Sequence, residues 1–205
     1  MPPMSDRVFF IAAFFVAAAL VGLGLLPALG QLPSGPISGG GTDYQRIEVS
    51  GDQLNRIVAG GDADIDMTRA DGQTVLRIGV TEGTLSEDPV QGPHFMLAPD
   101  LEVAFAGRPI RITVTARAAD KYGASEMRLH YWVGSGVGSG WETFTLTREF
   151  RDISFEYTPP PRNEGTDPGY DYLAIRPVIP EQERALFVSK VTLEPLAEAS
   201  DGSEE

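Results

Sequence analysis

From Arg46 to Leu193 the apolar positions of the chain recur with a period of two. Arg111–Arg117 reads R-I-T-V-T-A-R, with Ile112, Val114 and Ala116 on one side and Arg111, Thr113, Thr115 and Arg117 on the other. That is the pattern of a strand with one buried face. Ile153, Phe155 and Tyr157 alternate with Ser154 and Glu156, and Phe187, Val191 and Leu193 follow the same rule near the end. Similar runs predict strands at Arg46–Val49, Ala63–Met67, Val75–Val80, Met127–Val133, Glu142–Leu146 and Tyr172–Arg176. Turn chemistry separates them at Ala70-Asp71-Gly72, Pro89–Pro93, Gly107-Arg108-Pro109, Gly134–Gly140 and Thr158–Gly169. No stretch of the region carries a 3.6-residue stripe. About nine short strands divided by Gly and Pro predict an all-β fold, an antiparallel β-sandwich, with a jelly roll ahead of an immunoglobulin-like arrangement.

The N-terminus follows a different rule. Val8–Leu26 runs without a charged side chain, and as a helix it spans about 28 Å, close to the thickness of a hydrocarbon layer. It predicts one N-terminal transmembrane helix, retained as a signal anchor. A cleaved signal peptide is the alternative, with Ala28-Leu29-Gly30 as the small residues before a cut at Gln31. Arg7 before the span, and no base after it until Arg46, place the N-terminus in the cytoplasm and the rest outside a bacterial inner membrane, in the periplasm. The expected organisation is a stub over 1–7, the helix over 8–30, a Gly/Pro tether over 31–44, the sandwich over 45–196 and an acidic, solvated tail over 197–205.

Composition narrows the function classes. Sixteen Lys and Arg against 29 Asp and Glu leave a net charge of −13, which repels a phosphate backbone and excludes nucleic acid as a partner. Cysteine is absent, so disulfides, thiolate nucleophiles and Cys-ligated zinc are excluded, and His94 and His130 are the only histidines. No metal centre or cofactor is expected.

From Arg111 onward the order RITVTARAAD, MRLHYWV, GWETFTLTREFRDISFEYTPP, DYLAIRPVI and ALFVSKVTLEPL resembles the galactose-binding-like jelly rolls, which include many carbohydrate-binding modules. The resemblance implies a jelly-roll sandwich and a sugar ligand. Many such modules carry an acid in the closing strand that helps hold a structural calcium. Here that strand reads F-V-S-K-V, with Ser189 and Lys190 near that point, which argues against calcium there.

Alternation along Met127–Val133 sets Met127, Leu129, Tyr131 and Val133 on one face and Arg128, His130 and Trp132 on the other. With the first set in the core, a cation, an imidazole and an indole share one outer surface. Aromatic faces stack on sugar C–H groups, and Arg and His donate to hydroxyls, so this is the candidate ligand face, joined by Trp141, Tyr170 and Tyr172. The plain alternative is that Trp132 or Trp141 packs inside the sandwich.

Other motifs carry less. Asp62, Asp64 and Asp66 lack the Gly and Glu of a calcium loop and read as the solvated side of a strand. Gly134–Gly140 precedes a strand pattern rather than a helix, which makes it a hairpin loop and not a phosphate cradle. Glu126, Glu142 and Glu149 form no recognisable catalytic pair, and no enzyme is expected. The resulting expectation is a membrane-anchored extracytoplasmic module that binds carbohydrate or an envelope polymer. Its alternative is an accessory subunit of an inner-membrane complex whose helix packs on a partner, suggested by small residues four apart such as Ala13 and Ala17.

Overall fold

The computed structural model describes residues 6–25, 32–40, 44–61, 63–81, 87–134, 136–162, 170–178 and 183–196. The acidic tail, the expected cleavage site and Asp62 lie outside them. Two compact units divide the chain, one ending at Leu32 and the other beginning at Pro33.

The first unit contains the helix α1 (Asp6–Leu25). Its first two positions are the charged residues Asp6 and Arg7. Among the described residues no helix is long and apolar enough to cross a membrane. The expectation of a single-pass inner-membrane protein with a periplasmic domain is thereby corrected. The accessory-subunit alternative, which needed the same span, loses its basis with it.

The second unit is the expected antiparallel sandwich of two sheets. One sheet orders β2 (Ala63–Ala70), β3 (Gln73–Val80), β11 (Arg184–Pro195), β5 (Ile110–Ala118) and β9 (Arg151–Tyr157), with β1 (Ile47–Ser50) also paired to β11. The other orders β4 (His94–Leu97), β10 (Asp171–Pro177), β6 (Glu126–Val133) and β7 (Val137–Gly138), with β8 (Glu142–Thr145) also on β6. Every strand read from the period-two pattern is present. The structure adds β4, β7 and the short helix α2 (Pro99–Phe105), where Pro at the first turn suits a helix start.

The core lies between the sheets. Leu76, Ile78, Ile112, Val114, Leu186 and Leu193 face Phe95, Leu97, Met127, Leu129, Tyr131, Leu173 and Ile175, and α2 adds Leu101 and Phe105. Asp71 and Gly72 join β2 to β3 with φ of 51° and 79°, the left-handed pair that a two-residue hairpin needs and that Asp-Gly supplies. β2 forms one edge of its sheet, and Asp64 and Asp66 are exposed along it, as the acidic-strand reading expected.

Part of the expected tether is built into this unit. Ile37 is 4% exposed, its N–H donates to the Met96 carbonyl at 2.7 Å, and its carbonyl accepts from Ala98 N–H at 2.7 Å. An isoleucine among the glycines and prolines gives the segment a side chain to bury, which holds it on β4 despite a linker-like composition.

Candidate functional site

β6 divides its side chains as its alternation requires. Met127, Leu129, Tyr131 and Val133 enter the core, while Arg128, His130 and Trp132 occupy the outer face of the second sheet. Strand register completes that face. Trp132 lies opposite Tyr172, His130 opposite Ala174 and Arg128 opposite Arg176 on β10. β4 extends the first two rows with Met96 beside Tyr172 and His94 beside Ala174. All five expected ligand residues, Arg128, His130, Trp132, Trp141 and Tyr172, therefore reach one surface. Neither tryptophan belongs to the core. Tyr170 lies immediately before β10 and is exposed.

Trp141 follows β7 and folds back across the sheet surface. The Arg128 guanidinium sits 4.8 Å and the Arg176 guanidinium 4.6 Å from its ring centroid, both from neighbouring positions on the sheet. Its Nε1–H donates to the Glu87 carbonyl at 3.0 Å. The indole is thus held by two cations and one hydrogen bond, which fix its orientation over the sheet.

His130 stands at the centre. Its ring lies 5.6 Å from that of Trp132 and 5.1 Å from that of Trp141, both edge-on. It is 6% exposed, and neither Nδ1 nor Nε2 has a hydrogen-bond partner among the described residues. Gly138 of β7 packs directly on Nε2, at a spot where any Cβ would collide with the ring. Burial first, with Arg176 and Arg128 adding to it, pushes the imidazole below its ordinary pKa, so it is neutral at physiological pH. Burial does the same to His94, whose Nδ1–H donates to the Gly92 carbonyl at 2.7 Å and whose ring meets Tyr172 edge-on at 5.2 Å.

The turn before the 3-10 segment Pro89–Gln91 borders this face. Arg128 donates to both Glu87 oxygens at 3.1 and 3.0 Å, a two-pronged pair that holds the Glu87 carboxyl below its ordinary range. Arg176 donates to the Asp88 carbonyl at 2.6 Å, and burial pushes its pKa down to about 10. Met96, His94, Arg176, Glu87 and Asp88 are absent from the site that the sequence alone defines. They arrive through β4, which has no alternating pattern, and through contacts across 40 or more residues of chain, such as that of Arg128 with Glu87.

A second polar cluster is structural. Tyr131 Oη donates to Asp171 Oδ2 at 2.8 Å, Arg162 Nη2 reaches Asp171 Oδ1 at 2.6 Å and Glu102 Oε2 at 3.1 Å, and Asp171 N–H donates to Glu102 Oε1 at 2.8 Å. Burial raises the pKa of both carboxyls and of the tyrosine. Each carboxylate is 1% exposed, out of reach of a substrate. Glu126 and Glu142 sit on adjacent strands but on opposite faces, because Glu142 pairs with inward-facing Leu129.

The closing strand bulges at Ser189, whose hydroxyl donates to the Thr115 carbonyl at 3.4 Å beside half-buried Lys190. A hydroxyl and an ammonium make a poor calcium site. Among the described residues no group of three or more His, Cys, Asp or Glu converges to hold a metal.

Neither a protein-family model nor a curated protein sequence matches the chain significantly. Solved structures do. The CBM22-1 xylan-binding domain of Paenibacillus barcinonensis Xyn10C superposes with a TM-score of 0.50 at 14% identity, over 75% of this chain and 95% of that domain. The arabinose-bound α-L-arabinofuranosidase MgGH51 superposes with a TM-score of 0.54 at 9% identity, over 79% of this chain and 28% of that one. At such identities the likeness is one of fold. The second unit is a jelly-roll β-sandwich of the kind found in carbohydrate-binding modules.

Proposed function

We propose that the unit from Pro33 onward is a non-catalytic carbohydrate-binding module and that the outer face of β4, β10 and β6 receives the glycan. Trp132, Trp141 and Tyr172 supply the stacking surfaces, Arg128 supplies hydrogen bonds beside them, and buried His130 supports the two indoles edge-on. The observation that carries the reading is the aromatic row of Trp132, Trp141 and Tyr172, which lies outside the core on one face of the sheet, with the Trp141 indole held in place by two guanidiniums and a hydrogen bond. The fold likeness supports the ligand class, since the xylan-binding domain shares this architecture.

A panel of soluble plant and bacterial glycans, titrated calorimetrically into the full chain and its variants, tests the proposal. Trp132→Ala and Trp141→Ala are each expected to weaken binding by about 1–3 kcal/mol, or roughly tenfold to a hundredfold. Glycan affinity that survives both substitutions would move the binding surface elsewhere.

A further inference from the structure

We infer that the glycan this face accepts is a carboxylated one, bearing uronic acids, and that Arg128 reads the carboxylate. The inference rests on the carbohydrate-binding reading above and adds the substrate class. The outward positions surrounding the platforms are His94 and Met96 on β4, Tyr172, Ala174 and Arg176 on β10, and Arg128, His130 and Trp132 on β6. None of these is a carboxylate or an amide; the outward carboxylate of β6, Glu126, lies exposed at the end of the strand away from Trp132. The two charged groups among the surrounding positions are guanidiniums, which only donate, and whose planar fork matches a carboxylate better than it matches a hydroxyl.

A carboxylate already occupies the fork. Both oxygens of Glu87 engage Arg128, at 3.1 and 3.0 Å, yet the Glu87 side chain is 71% exposed and comes from a turn rather than from the sheet. An exposed pair of this kind is easily exchanged. The same residue's carbonyl holds the Trp141 indole edge at 3.0 Å, so the seat borders the stacking platform. A sugar ring resting on Trp141 brings a ring-borne carboxylate to the position where the Glu87 carboxylate now lies. Arg176, paired with Arg128 across the strands and 4.6 Å from the Trp141 ring centroid, adds a second positive charge beneath that position. General attraction does not account for this preference, because the chain carries a net charge of −13 and repels polyanions at long range. The selectivity is local to the fork.

The test is calorimetric titration of the full chain with oligogalacturonate and with glucuronate-bearing xylo-oligosaccharide, each set against the same oligosaccharide with its carboxyls reduced to alcohols. At least one carboxylate form is expected to bind about tenfold tighter than its reduced counterpart. Glu87→Gln, which vacates the charge on the fork, should widen that ratio severalfold. Arg128→Gln should erase it, and Arg128→Lys, which keeps the charge but loses the fork, should narrow it; thermal melts verify that each variant is folded. Equal affinity for the carboxylate and reduced forms in wild-type protein overturns the uronate inference while leaving glycan binding intact. Failure of these ligands and of every neutral glycan to bind removes the carbohydrate reading beneath it.

Discussion

Replacing His130 by Leu should make the protein more stable, and the structure indicates by how much. The imidazole is 6% exposed, and both of its nitrogens lack partners among the described residues. Each unsatisfied buried polar group costs about 1–3 kcal/mol, whereas the two edge-on ring interactions that the substitution removes contribute about 0.5–1.5 kcal/mol apiece. The balance favours Leu by about 1–3 kcal/mol, and for a chain of this size that raises Tm by roughly 2–10 °C. Differential scanning calorimetry reads the shift directly. A pH series supplies an independent sign. Burial, with the charges of Arg128 and Arg176, holds the folded pKa below the unfolded value of about 6.5, so the unfolded chain takes up a proton that the folded one resists. Stability present above about pH 6.5 is therefore lost as pH falls toward the folded pKa. His94, also depressed by burial, contributes in the same direction, and His130→Leu should remove only the His130 share of the slope. A Tm lowered by several degrees, or a pH slope equal to that of wild type, would refute the reasoning by showing that the nitrogens are satisfied in solution.

Other residues yield separate tests. Tyr131→Phe deletes a donor 2.8 Å from the buried Asp171 carboxylate and should cost about 1.5–3 kcal/mol in a urea unfolding curve. Burial raises the folded pKa of Glu102 and Asp171, so these groups destabilise the fold at neutral pH and their penalty lifts as pH falls toward the usual carboxylate range near about 4; Glu102→Gln should flatten that part of the pH dependence of the urea midpoint. Arg117 is clamped between Phe150 and Phe187, with its guanidinium 5.1 and 4.8 Å from their centroids and paired to exposed Asp71 and Asp120. Arg117→Ala should cost about 2–4 kcal/mol, mostly from the ring contacts and buried stem, and added salt should change that cost little. Gly72→Ala forces a side chain into φ of 79° and should cost about 1–2 kcal/mol without altering the core.

The sheet residues are legible in the sequence because a half-buried strand writes its two faces as alternate letters. Arg128, His130 and Trp132 can be assigned to one surface from the identity of Met127, Leu129, Tyr131 and Val133 alone. What alternation cannot carry is strand order, and so the meeting of Trp132 with Tyr172, or of Arg128 with Arg176, belongs to the register of β6 on β10. β4 is hidden because His94–Leu97 is an uninterrupted run of four after a Pro/Gly turn. α2 spans only seven residues, too few to display a helical stripe. Ile37 reads as part of a tether by the company it keeps, although its own side chain is buried. At the N-terminus, hydropathy alone suggests a span from Val8. The helix begins at Asp6 and takes two charged positions into its first turn.

The central claim is that a glycan lies across Trp132 and Trp141. These are the chain's only two tryptophans, so an amide-correlation NMR spectrum contains two indole N–H signals. Titration with a glycan selected by calorimetry should move both signals, with that of Trp141 reporting any change in its hydrogen bond to Glu87. Two indole signals that stay in place while backbone signals shift elsewhere would contradict the account.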